Sequence, residues 1–244
     1  MSADPPPIDA RDLAALIAPP PSRDPATGFV LRALGRTDYV RCWSAMRAWT
    51  DARGIDTADE LWVTEHPPVY TLGLAGRREH LLRESAIPVV KVDRGGQVTY
   101  HGPGQLVVYV LVDLRRAKLG VRDLVRRLEA GVVQWLDSLG ISSFGKPEAP
   151  GVYVRRDGVE AKIAALGLKV RNGCTYHGIA LNLRMNLAPF ADIDPCGYRG
   201  LAVTQVADRV DAPSMESAGV AFAPVLAAAI RASPPATGVA TPTR

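Results

Sequence analysis

The sequence predicts an α/β domain of the α+β type, with a mixed, largely antiparallel sheet packed by helices. One long amphipathic helix and several short strand-like segments predict it, since the segments follow one another without the helix after each strand that regular βαβ alternation demands. Of the 244 residues, 47% are apolar, enough to bury the core of one such domain.

In chain order, residues 1–26 are proline-rich and show little apolar period, so they are expected to form a flexible tail, as are residues 232–244. The domain is expected to occupy 27–231. Thr37 predicts an N-cap for a helix reaching about Asp51, because Tyr39, Val40, Trp43, Met46 and Trp49 recur at helical spacing. A strand is predicted over 61–64. The long helix is predicted over 121–139, where Val121, Leu124, Val125, Leu128, Val132, Trp135, Leu136 and Leu139 fall three and four residues apart and Gly140 ends the pattern. Further strands are predicted over 89–92, 106–112, 151–155, 162–170 and 179–183.

Lysine and arginine (29) exceed aspartate and glutamate (25) by only four, which does not mark a nucleic-acid binder. The basic residues Arg115, Arg116, Lys118, Arg122, Arg126 and Arg127 do cluster, and such a stretch either attracts an acidic macromolecule or forms a solvated helix face. Cys42, Cys174 and Cys196 are an odd set without disulfide spacing, which points to a reducing compartment. The first residues do not resemble a signal peptide and no apolar run reaches membrane-spanning length, so the expectation is a soluble, cytoplasmic protein.

Four segments carry chemistry. Cys196 lies between Pro195 and Gly197, which keep it out of regular structure and place it on a turn where an accessible thiol could act as a nucleophile if a cation lowers its pKa. Lys162 heads an apolar run, and burial there would suit it for proton transfer or for pairing with a thiolate. The stretch 94–105 holds four glycines and a proline around Arg94, Thr99 and His101, a tight path that fits neither a P-loop nor a dinucleotide fingerprint. The fourth segment, 173–183, contains Cys174 as a rival nucleophile and His177. With His101 and Cys196 these are zinc-ligand types, but paired-cysteine spacing is missing and no metal is expected.

The succession of 65–73, 94–105, 162–167, 173–182 and 194–198 closely resembles the lipoyl(octanoyl) transferases, over roughly residues 30 to 210. That resemblance implies a fold similar to the catalytic module of biotin protein ligases and lipoate ligases. It also implies an enzyme that takes octanoyl from octanoyl-acyl carrier protein onto a cysteine and passes it to a lysine of a lipoyl domain. Acceptors would be the lipoyl domains of 2-oxoacid dehydrogenase acyltransferase subunits and the glycine cleavage H protein, with no cofactor, nucleic acid or membrane. Cys196 matches the nucleophile and Lys162 its activating lysine, while Cys174 matches a cysteine not needed as nucleophile. Arg94, Gly95, Gly96, Gln97, Val98, Thr99, Tyr100, His101, Ala165, Leu166, Gly167, Gly178, Ile179 and Ala180 match the acyl-binding segments. Departures are modest: Val110 stands where proline is common and Asp194 where asparagine is. Two alternatives stay open, an ATP-dependent lipoate or biotin ligase and a non-catalytic acyl-protein binding module.

Overall fold

The computed structural model describes residues 4–18, 21–156, 158–194 and 201–232. In chain order its elements are α1 (Ala10–Ile17), β1 (Ser22–Arg23), β2 (Val30–Arg36), α2 (Tyr39–Asp51), β3 (Glu60–Glu65), β4 (Val69–Leu72), β5 (Val89–Lys91), β6 (Val98–His101), β7 (Gln105–Leu111), α3 (Leu114–Ala117), α4 (Val121–Ser138), β8 (Phe144–Gly145), β9 (Val152–Arg156), β10 (Val159–Arg171), β11 (Cys174–Asn182), β12 (Ala202–Val203) and α5 (Met215–Arg231).

Among the described residues, nine strands form the main sheet in the order β1-β2-β3-β7-β11-β10-β9-β8, with β12 added beside β10. The central pairs β3–β7, β7–β11, β11–β10 and β10–β9 are antiparallel, whereas β2–β3 and β10–β12 are parallel. Parallel neighbours need a crossover, and α2 supplies it between β2 and β3, so the sheet contains one βαβ unit within its antiparallel body. A second sheet, β5-β4-β6, adjoins the first through the turn joining β6 to β7.

Alternation along β7 sorts the two faces of the main sheet. Leu106, Val108 and Val110 point into the core formed with Leu124, Leu128, Val132 and Trp135 of α4 and Phe222 and Leu226 of α5. Val107, Tyr109 and Leu111 point the other way, into a cluster with Tyr39, Trp43 and Met46 of α2. Arg122 and Arg126 are exposed on α4, on the far side of the sheet from α2. Two others of the basic stretch have structural partners. Arg116 pairs with Asp59 at 2.7 Å, and Arg127 donates to the Ile230 carbonyl at 2.6 Å.

Several elements depart from expectation. Asp38, not Thr37, caps α2, accepting from the Arg41 amide at 2.8 Å, because the Thr37 hydroxyl is buried against Thr64 at 2.7 Å. Part of the expected N-terminal tail is helical: Asp9 caps α1 and Leu16 is buried beside α2, since Leu13, Leu16 and Ile17 form a short apolar stripe. Neither β2 nor α5 was anticipated. The strand mixes arginine and glycine with its apolar residues, and α5 contains Pro224 in an alanine-rich run that lacks polar contrast.

Candidate active site

The site begins with a hairpin. Asn172 and Gly173, both at positive φ, link β10 to β11 and set a register in which Gly167 faces Gly178 and Ala165 faces Ala180. Two directly opposed pairs of small residues leave a hollow where ordinary side chains would meet across the strands. Between them, Leu166 and Ile179 also pair and pack against the α4 side.

The turn between β5 and β6 roofs this hollow. Gly96 takes φ 83°, a conformation that suits glycine, and the Gly95 amide donates to the Leu168 carbonyl at 2.9 Å. Buried Arg94 clamps the turn, its guanidinium donating to the carbonyls of Thr71 (2.8 Å), Gly95 (2.9 Å) and Gln97 (2.9 Å) and to the Thr71 hydroxyl (2.8 Å). The result is a cavity of about 50 Å³. Its apolar wall is Val98, Val107, Ala165, Leu166, Ile179 and Ala180, joined by Gly96, Gly167 and Gly178, while Arg94, Gln97, Thr99, His101, Tyr39, Tyr109 and His177 add polar groups.

That polar side is a buried network. His101 is held by the Gln105 side-chain oxygen at 2.8 Å, and the Gln105 amide donates to Asn182 at 2.9 Å, which fixes Nδ1 of His101 as the donor. Burial, then the neighbouring His66 and Arg94, hold His101 well below the usual histidine range, so it is neutral near pH 7. His177 donates Nε2–H to Asp93 at 2.8 Å and is also pushed down by burial. Burial alone would raise the Asp93 carboxyl, but hydrogen bonds from His177, Tyr176 and Trp43 outweigh it and hold the group below its ordinary value. His177 adopts φ 61°, uncommon for a residue with a side chain.

Of the expected acyl-binding residues, twelve line the cavity: Arg94, Gly96, Gln97, Val98, Thr99, His101, Ala165, Leu166, Gly167, Gly178, Ile179 and Ala180. Gly95 and Tyr100 do not. The first is spent on its backbone contact with β10. The second points to the opposite face of β6, where its ring packs 5.5 Å from that of Phe190. Sequence reasoning missed Tyr39, Val107 and Tyr109, whose periodicity marked them as core. Lys162 does not line the cavity but lies on the same strand, three residues before Ala165. It is 4% exposed, its Nζ donates to the Pro150 carbonyl at 3.3 Å and lies 5.0 Å from the Tyr153 ring centre.

Cys196 lies outside the described residues. The described chain ends at Asp194 and resumes at Leu201, where Ala202 and Val203 pair at once with Ala161 and Lys162. The other two thiols are buried. Burial pushes Cys42 up to about 12, and it also raises Cys174. Among the described residues, no three histidine, cysteine or carboxylate side chains gather to hold a metal ion, and no helix is long and apolar enough to cross a membrane.

The small-residue hollow thus lies under a glycine-rich roof, with buried Lys162 on the same strand. Residues 38–225 match the family described as the lipoyl protein ligase A/B catalytic domain. The chain is 59% identical over 177 residues to an octanoyltransferase of Chromobacterium violaceum, covering 72% of this chain and 84% of that protein. It is 56% identical over 214 residues to one of Aromatoleum aromaticum, covering 87% and 90%. Among solved structures, a lipoate-protein ligase A bound with ATP is similar in fold, with a TM-score of 0.65 at 19% identity over 82% of this chain and 84% of that one. The chain therefore belongs to the lipoyl(octanoyl) transferase family and is an acyltransferase.

Proposed function

We propose that this acyltransferase takes octanoyl from octanoyl-acyl carrier protein, carries it as a thioester on Cys196, and delivers it to a lysine of lipoyl domains in the cytoplasm. The observation that supports it most is the cavity built from paired small residues on β10 and β11, which shares a strand with buried Lys162. Its mostly apolar wall suits an acyl chain shielded from water. The acceptors would be the lipoyl domains of 2-oxoacid dehydrogenase acyltransferase subunits and the glycine cleavage H protein.

In the first half-reaction the Cys196 thiolate attacks the thioester carbonyl, a C–S bond to the enzyme forms, and the carrier's thiolate leaves. In the second, the acceptor amine attacks the enzyme thioester, the new C–S bond breaks, and an amide remains. One thioester is exchanged for another at little cost, and aminolysis then runs downhill. Lys162 as a cation stabilises the thiolate and gives its proton to the departing carrier thiolate, and as the neutral amine so formed it accepts the proton that the acceptor lysine gives up. The two buried cysteines favour this assignment, since a raised thiol pKa leaves little thiolate at neutral pH.

The test is mass spectrometry after mixing the protein with octanoyl-acyl carrier protein, followed by transfer to a lipoyl domain. A hydroxylamine-sensitive octanoyl adduct should map to Cys196. Cys196→Ser should abolish transfer, whereas Cys174→Ser should retain most of it. Lys162→Ala should slow transfer by about two to four orders of magnitude, and Lys162→Arg should not restore it, because arginine cannot accept a proton at neutral pH. Full activity in Cys196→Ser would sink the proposal.

A further inference from the structure

Glu129 is an acid without a part in that chemistry. It sits on α4, 9% exposed and facing the apolar core between helix and sheet, where a carboxylate is costly to bury. One of its oxygens accepts the Gly151 amide at 2.9 Å, where the chain enters β9. Its other oxygen lies against Gly145, close enough that a side chain there would meet it at 3.1 Å. Burial raises the Glu129 carboxyl pKa, and the positive charge of Lys162 opposes that rise.

The segment that Glu129 holds is the one that holds Lys162. The Pro150 carbonyl accepts from Lys162 Nζ, and Gly151 is pressed against the same side chain. A Cβ at Gly151 would stand 3.0 Å from Lys162 Cε and 3.2 Å from Nζ, besides 2.9 Å from the Ala164 carbonyl oxygen. The backbone there takes φ 142°, which also favours glycine. The ammonium thus bonds to the backbone of this turn, and the turn is tied to α4 through one carboxylate.

We propose that Glu129 is a positioning residue for Lys162, acting through the Pro150–Gly151 turn. The inference rests on Lys162 taking part in acyl transfer. A reacting group displaced by an ångström or so loses much of its effect, so releasing the turn should slow the chemistry without altering how the protein substrates dock.

The experiment is a double-mutant cycle in the full chain, with kcat and KM measured for octanoyl-acyl carrier protein and a lipoyl domain. Glu129→Ala should lower kcat about tenfold to a hundredfold with both KM values nearly unchanged. Glu129→Gln keeps an oxygen acceptor for the Gly151 amide and should recover most of the rate. In a Lys162→Ala background, Glu129→Ala should have little further effect, because the group it positions is already gone. If Glu129→Ala does not fold, Glu129→Asp, which withdraws the carboxylate by one methylene but keeps its charge, takes its place in the cycle with the same expectation. An equal loss with and without Lys162, an unchanged kcat, or failure of Glu129→Gln to recover the rate would overturn the proposal. A Lys162→Ala enzyme as fast as wild type would instead overturn the role of Lys162 itself.

Discussion

Acid should destabilise this protein through His66 at a pH where most carboxylates are still ionised. The imidazole is fully buried, with Nδ1–H donating to the Thr37 carbonyl at 2.7 Å and Nε2 accepting from the Tyr109 hydroxyl at 2.6 Å. Burial is the main cause that brings its pKa from 6.5 down to about 4. The native state therefore holds His66 neutral, while the unfolded chain takes up a proton below about pH 6.5. Its contribution is present in full above that pH and is lost as pH falls toward 4. Linkage gives a loss of about 2 kcal/mol at pH 5 and a ceiling of about 3.4 kcal/mol at lower pH. His101 and His177 act in the same direction, and Glu129, whose pKa is raised, acts against them. Comparison with His66→Gln cancels those shared contributions. Urea unfolding of both proteins at pH 7 and pH 5 should show wild type losing about 2 kcal/mol more than the variant over that interval. Equal losses would refute a buried, neutral His66.

Two further substitutions probe the frame. Gly178→Ala would drive a methyl into the Val108 carbonyl of the neighbouring strand, so it should cost about 1–3 kcal/mol in thermal unfolding and reduce acyl transfer more than stability alone explains. A variant with wild-type melting and activity would show that β7 and β11 can separate freely. Asp59→Asn should lower stability by about 3 kcal/mol by thermal denaturation, because the buried carboxylate meets Arg53 at 2.7 Å, Arg116 at 2.7 Å and Arg231 at 2.8 Å. A loss below about 1 kcal/mol would mean that the three guanidiniums are content without it.

Much of the frame was legible because its signals are local. The apolar stripe of α4 and the strand character of β3, β7, β10 and β11 stand in the residue pattern, and the structure moves their ends by only a few residues. The Asn172–Gly173 hairpin is equally local, since that pair is a strong hairpin signal between two strand-like runs. The cavity was legible through resemblance, since no periodicity says that Gly167 will face Gly178. Tyr39 and Tyr109 could not be found this way: they come from α2 and β7, and only packing brings both beside His101 and His177. The buried polar layer was half seen for the same reason. The neutral state of His101 and His177 depends on burial by elements remote in sequence.

Because β10 carries both Lys162 and one wall of the cavity, bonded to β11 on one side and to β9 on the other, backbone changes should act on both parts together. A slip of one residue against β11 would exchange Ala165 and Gly167 for Leu166 and Leu168 on the hollow's face and carry Lys162 to the wrong side of the sheet. Insertions or deletions within this strand therefore offer no graded route to a longer or shorter pocket. Adaptation to a different ligand is confined to swapping side chains at the opposed small pairs or in the glycine-rich roof, whose backbone Arg94 clamps and Gly95 ties to β10.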